Sequence, residues 1–190
     1  EIKSDSPMLE LRLFQNRAFS LAVLARISGF MALTAFGLLT PIYLIGIRGI
    51  EEALAGGILF IASIGMGFAA QASGRLSDRF SERPFILFGF TTLTVAALMF
   101  STYSVDTPVW VLMAMMFVNG LGFGMWTVPN NSVIMSSVSR RYLGVVGALT
   151  NLVRNVGLVA GQAIATTIVV GLMISRGFNI PLGEVAEQPD

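Results

Sequence analysis

Among its 190 residues the sequence has no cysteine and no histidine. Without thiols, disulfides and thiolate metal sites are excluded, and nothing marks the redox compartment. Without imidazole, the commonest zinc ligand and the usual base near neutral pH are both missing. Charge is also scarce. Asp, Glu, Lys and Arg make up 12% of the chain, against about 25% in an ordinary soluble domain. No glycine-rich phosphate motif occurs, so an enzyme is not expected, nor a cofactor or metal. The few arginines suit topology anchoring, so nucleic acid is not an expected partner.

What is present is long apolar sequence. Hydrophobic residues reach 54%, with 20 glycines, and the mean hydropathy is +0.76. A helix needs about 20 residues to cross roughly 30 Å of hydrocarbon. Five runs qualify: Phe19 to Ile47, Ala53 to Gly74, Pro84 to Tyr103, Pro108 to Val138 and Leu143 to Ile174. Five such runs leave too little polar surface to cover them in water. The expected fold is therefore an all-α membrane protein, with a five-helix transmembrane unit over 19–175. Connectors of three to five residues (48–52, 104–107, 140–142) predict that sequential helices are antiparallel neighbours.

Residues 1–18 read as a cytoplasmic lead-in, with Leu9 to Phe14 able to lie along the interface. Residues 176–190 hold two prolines and two glycines and read as an extracytoplasmic loop or tail. The sequence opens at Glu1 with no signal-peptide pattern, which predicts a start inside a longer chain. Lys3, Arg12, Arg17, Arg75, Arg79, Arg83, Arg140 and Arg141 fall on one side, and Arg48 and Arg176 on the other. The bias puts the N-terminus in the cytoplasm.

The one dense charge cluster is GRLSDRFSER, Gly74 to Arg83, between uncharged stretches 53–74 and 84–105 of 22 residues each. Gly74 is expected to close the second helix and permit close backbone approach. Asp78 is placed to cap a neighbouring helix or pair with an arginine. Arg75, Arg79 and Arg83 recur every fourth residue, so on one helix they share a face. The plain alternative is a positive topology anchor.

Gly74, Asp78, Arg79 and Arg83 resemble the cytoplasmic-loop signature of the major facilitator superfamily, with Ser81 in place of its usual second glycine and Glu82 in place of a basic residue. The stretches Leu13 to Arg17 with Phe19 to Leu21, and Arg140–Arg141 through Gly147–Ala148 to Asn151–Arg154, are similar to the C-terminal half of a 14-helix drug:proton antiporter. The resemblance implies a major facilitator-type bundle in a bacterial inner or cell membrane. It implies proton-coupled export and a latch at Gly74, Arg75, Asp78, Arg79 and Arg83 that releases as two halves rock. It also implies a missing N-terminal half as partner, or another copy of the chain.

Inside the spans the sharpest signals are Arg26 and Arg154, about 12 and 16 Å from the cytoplasmic ends. An arginine facing lipid at that depth is costly. Three readings stand: a lock on helix carbonyls or a missing carboxylate, contact with an anionic substrate, lipid headgroup or outside carboxylate, and snorkelling. No acidic residue lies within the five spans, so an ion-pair partner, and any proton-coupling carboxylate, must come from elsewhere. Asn151 and Asn155, beside Arg154, predict a polar cavity face on the fifth helix. Asn119, Asn130, Asn131 and Gln162 add amides that either line a path or bond between helices, and Gln71 reads as a helix-end contact.

Gly120 with Gly124, and Gly157 with Gly161, have the small-xxx-small spacing for close helix packing, and Gly65, Ala69 and Ser73 form a similar strip. Pro129 is expected to bend or break the fourth helix and Pro41 to bend the outer end of the first. Trp126 and Phe123 read as an aromatic wall for a hydrophobic substrate, and Trp110 and Tyr103 as an outer interface belt. The expected function is half of a proton-coupled exporter of hydrophobic or amphipathic small molecules, surrounded by membrane lipids. The rival readings are a lipid exporter and a non-transporting scaffold or dimeric half-protein.

Overall fold

The computed structural model describes residues 14–175. Among them the chain is helical, in the order α1 (Arg17–Pro41), a π-helical turn (Ile42–Ile47), α2 (Glu52–Phe80), α3 (Arg83–Phe100), α4 (Val109–Ser136), a 3-10 turn (Arg140–Tyr142) and α5 (Leu143–Ser175). Five helical segments are long and apolar enough to cross a membrane. Large apolar side chains such as Leu21, Phe60, Phe68, Leu87 and Val159 point outward. Helices apolar on all sides belong in lipid or a large core, and these have lipid-facing surface to spare. The expectations for Lys3, Arg12, Arg176, most of the Leu9 to Phe14 segment and the 176–190 tail lie outside the described residues.

Helix ends follow local chemistry. Asn16 caps α1, its Oδ1 accepting from the Ala18 amide at 3.0 Å, which starts the helix two residues before its apolar run. Pro84 sits in the first turn of α3, where no amide hydrogen is needed. At the other end of α1, Pro41 ends the α-helical part and the π turn follows. The chain there is tied down by side chains. The Tyr43 hydroxyl donates to the Ser104 carbonyl at 2.7 Å, and Arg48 Nη1 donates to the Thr107 carbonyl.

Packing follows chain order only in part. The main seams are α2 on α4, α1 on α5 and α3 on α4, with α1 also meeting α4. The short connectors set opposite directions for successive helices, but α1 and α2, like α2 and α3, are not packing partners. The expectation that sequential helices are neighbours therefore holds for α3 and α4 and is corrected for α1 with α2 and for α2 with α3. Small residues decide the matter, because they let particular backbones touch. A Cβ on Gly120 would overlap the Ala62 backbone, and one on Gly65 would come within 2.5 Å of the Phe117 carbonyl. Gly157 faces the Ile27 carbonyl and Gly161 the Met31 backbone in the same way. Without a hydrophobic drive between helices in lipid, such contacts and their dispersion energy select the pairs.

Three apolar clusters fill the seams. Phe19, Ala22, Val23, Ile134, Val146, Leu149 and Val153 join α1, α4 and α5 near one end. Leu44, Ala55, Ile58, Leu112 and Met116 join α2, α4 and the π turn at the other. Between them lie Phe30, Phe123 and Trp126.

Expectations at Pro129 and Gly74 change, the first in that the helix is not broken there. α4 is continuous through Pro129: a proline in a membrane helix can be tolerated because packed neighbours re-satisfy the backbone group it frees. α2 does not end at Gly74 but runs through it to Phe80. The linker to α3 is only Ser81 and Glu82.

Candidate functional site

Arg26 lies nine residues into α1 and Arg154 eleven into α5, about 14 and 16 Å along their helices. The packing of α1 against α5 brings both to one place. Arg26 is 8% exposed and its Nε donates to the Thr150 carbonyl on α5 at 3.3 Å. That carbonyl is also the ordinary helical acceptor for the Arg154 amide. The Arg26 guanidinium carbon lies 5.2 Å from the Phe30 ring centre, and that of Arg154 lies 5.5 Å from the same ring. Arg154 is exposed. Arg26 Nη1 is buried with no hydrogen-bond partner.

The walls of this junction are uncharged. Phe30 makes edge contacts with Phe123 at 5.7 Å and Trp126 at 5.8 Å on α4. Gly29 leaves room for the Trp126 indole, where a Cβ would overlap it. One turn from Trp126, Asn130 donates from Nδ2 to the Ala22 carbonyl at 2.9 Å. α1 is thus pinned by an amide from α4 and a guanidinium that bonds α5. Two cations lie against one aromatic ring, and among the described residues neither has an ion pair.

Several expected site residues are placed differently. Trp126 is 0% exposed and Phe123 6%, so the pair does not form an open aromatic wall. Trp126 fills the space between α1, α3 and α4, stacked 5.1 Å from Phe90. Asn130, at 0% exposure, is a helix bracket, and Asn131 is half-buried beside it. Asn119 is buried, while Gln71 and Gln162 are exposed. On α5, Asn151 and Asn155 are exposed. Asn155 lies two residues from both Val153 and Gly157, which face α1, and so points to the opposite side of the helix. Only Arg154 reaches Phe30, so a single polar face spanning all three is not formed at this seam. Thr150, a residue the sequence did not single out, supplies the acceptor for Arg26. No local signal could have found it, since the partner is 124 positions away.

The charged cluster is also rearranged. Arg75, Asp78 and Arg79 stand exposed on the last turns of α2, while Arg83 is the first residue of α3. The three arginines therefore do not share one helix face. Asp78 neither caps α3, whose cap residue Glu82 has no side-chain capping bond, nor pairs with an arginine among the described residues. A Cβ on Gly74 would meet Val128 at an ordinary 3.4 Å, so close backbone approach is not what a glycine serves here. The strained position is Ser81, with φ 109° and ψ 150°. That is backbone territory that favours glycine.

A second concavity of about 620 Å³ opens between α1, α3 and α4. Glu82 and Arg83 border one part, Leu21 and Leu87 line the sides, and Asn130 contributes to the floor. Among the described residues no cluster of His, Cys, Asp and Glu could hold a metal ion.

Comparison with known proteins gives this geometry its context. The chain is 26% identical over 163 residues to the riboflavin transporter RibZ of Clostridioides difficile, covering 86% of this chain and 36% of the relative. It is 29% identical over 182 residues to the multidrug transporter protein MdtP of Bacillus subtilis, covering 95% and 32%. It is 25% identical over 186 residues to the multidrug efflux pump LfrA of Mycolicibacterium smegmatis, covering 98% and 37%. The chain spans about a third of the length of the curated relatives it matches. No solved structure matches it. The family model described as Major Facilitator Superfamily matches residues 2–162, so this integral membrane protein belongs to that superfamily of transporters.

Proposed function

We propose that the chain contributes five helices to one half of a proton-coupled exporter of hydrophobic or amphipathic compounds that works by alternating access. The observation that carries this reading is its similarity to multidrug transporters along 95% and 98% of its length. In this reading residues 19–175 form the transmembrane part of the half, 1–18 a cytoplasmic lead-in and 176–190 an outer loop. The N-terminus is cytoplasmic and the membrane a bacterial cell membrane. The other half, or a second copy, completes the transport path.

The junction of Arg26, Phe30 and Arg154 lies on that path, supported by two mid-span cations on α1 and α5, helices that contain no acidic residue. Asn151 and Asn155 extend the polar lining where other helices complete it. Gly74, Arg75, Asp78, Arg79 and Arg83 act as the cytoplasmic latch: exposed side chains around a two-residue, strained linker are free to exchange partners between states. Proton coupling needs a titratable group within the membrane, and α1 to α5 supply no carboxylate or imidazole at mid-span, so the coupling carboxylate comes from the other half.

A lipid is the second reading, favoured by the concavity between α1 and α3, whose Glu82 and Arg83 stand beside apolar walls. The test is transport by the full-length protein in proteoliposomes, with and without a pH gradient, of a cationic dye and a labelled lipid in parallel. Gradient-dependent dye movement supports the drug exporter, and lipid movement alone supports the second reading. If neither moves, both fail and the scaffold reading takes their place.

A further inference from the structure

We propose that Arg26 and Arg154 together form a receptor for one carboxylate, carried either on a free ligand or on a side chain from another part of the protein. The inference deepens the exporter reading, since it names the chemistry recognised at the same helix junction.

Arg26 is more than nine-tenths buried, uses Nε on the Thr150 carbonyl, and leaves Nη1 buried without an acceptor. A buried charge with an open donor is among the costliest arrangements a fold can hold. Arg154, the nearest cation, worsens it by repulsion. Phe30 gives each guanidinium a quadrupole to rest on, but one neutral ring does not cancel two charges. Simple snorkelling does not describe Arg26 either, because its side chain bonds across to α5 and is covered.

The geometry also says what fits. Both guanidinium carbons lie within 5.5 Å of one ring centre, so they are at most about 11 Å apart, and a swing of the exposed Arg154 side chain can bring its fork to a group held by Arg26. Arginine forks match the planar two-oxygen face of a carboxylate. Arg154 is exposed and free to swing, while Arg26 is fixed by Thr150, giving one preset and one closing arm. The apolar ring beneath suits a carboxylate borne on an aromatic or aliphatic body. Bound there, the anion neutralises one charge and offers an acceptor to the donors that lack one.

Thermal unfolding of purified full-length protein in lipid nanodiscs tests this, with benzoate as probe and benzamide as its uncharged counterpart at matched ionic strength. If the carboxylate is on a free ligand, benzoate raises the unfolding midpoint, benzamide does not, and Arg154→Gln weakens the apparent benzoate affinity at least about tenfold. Arg154→Lys, which keeps the charge, retains part of the response. If the carboxylate belongs to the protein, benzoate has no effect, and Arg154→Gln has a lower midpoint than wild type at pH 7. The two midpoints then converge as pH falls through the carboxylate range, because a paired carboxylate contributes stability above its unfolded pKa that is lost on protonation. The proposal is overturned if benzoate has no effect and the Arg154→Gln midpoint either equals or exceeds that of wild type, or stays lower by the same amount at every pH. Arg154 is exposed, so its variants should fold even where Arg26→Gln does not. The readout needs no transport: failure here leaves the exporter reading standing, and a protein that moves no dye can still bind benzoate.

Discussion

Two seams of this molecule are built alike and finished differently. Where α2 meets α4, Gly120 and Gly124 rest on the backbone and small side chains around Ala62, Met66 and Ala69. Ser73 adds a hydroxyl bond to the Gly124 carbonyl at 3.1 Å. Where α1 meets α5, Gly157 and Gly161, again four apart, rest on Ile27 and Met31. The first seam has no charged residue at its glycine contacts, and the hydroxyl of Ser73 is satisfied there. The second holds Arg26 and Arg154 without a counterion among the described residues. Glycine spacing by itself thus reports helix contact, and an unbalanced charge at such a contact is what marks a place for chemistry.

Substitutions at and between the two seams test how much each carries. The largest effect is expected at Trp126, which belongs to neither seam but packs against α1, α3 and α4 together. Trp126→Ala should cost about 4 kcal/mol, measured as a shift in reversible unfolding. A loss below about 1 kcal/mol would mean that the three helices do not depend on a common core. Next come the seams themselves. Gly120→Ala and Gly161→Ala both drive a methyl into a facing backbone and should each cost about 2–3 kcal/mol. A small loss at Gly161 alone would show α1 and α5 to be loosely held, and so able to move past each other.

Smaller is the alkaline response of the outer aromatic group. Burial, with Tyr43 adding to it, pushes the Tyr103 hydroxyl up to about 12. The unfolded chain ionises first, near 10, so stability should be level below that pH and fall as pH rises from about 10 towards 12. Tyr103→Phe should remove that fall, and an unchanged alkaline limb in a pH titration of the midpoint would assign it elsewhere. The tyrosine, expected in an outer belt, is half-buried beyond the end of α3, its ring 5.9 Å from that of Tyr43. Trp110 is instead the outward one, at 71% exposure.

The last two effects are about 1 kcal/mol each and opposite in sign. Ser73→Ala removes the one side-chain hydrogen bond across α2 and α4 and should cost about 1 kcal/mol. Ser81→Gly should gain about 1 kcal/mol by relieving a non-glycine backbone at positive φ. A loss on Ser81→Gly would mean that the hydroxyl, and not the backbone angle, decides the linker.

How much of this was legible differs from element to element. The five spans were visible because hydropathy over 20 residues is a local property. Their ends were not, because hydropathy marks where the membrane stops and helices continue into water: α2 carries six residues past Gly74, ending at a two-residue turn. Ser81 stood where the resemblance expects a glycine, and the backbone there has a glycine-like angle. Asp78 looked like a cap or ion-pair partner from its position alone, yet both roles depend on a neighbour that is out of reach. Trp126 read as a wall because aromatic residues suit both cavities and cores, and only its contacts with Phe30, Phe90 and Phe123 decide for the core.

Residue type and position along one helix are enough for the number of apolar spans, the absence of mid-span acids and the approximate depth of Arg26 and Arg154. Tertiary structure decided which helices pair and which polar groups meet. Arg26 finds Thr150 from 124 positions away and Asn130 finds Ala22 from 108. Such meetings depend on how helices rotate and slide to bring glycine strips into contact. That is a property of pairs of surfaces, which no single stretch of sequence contains.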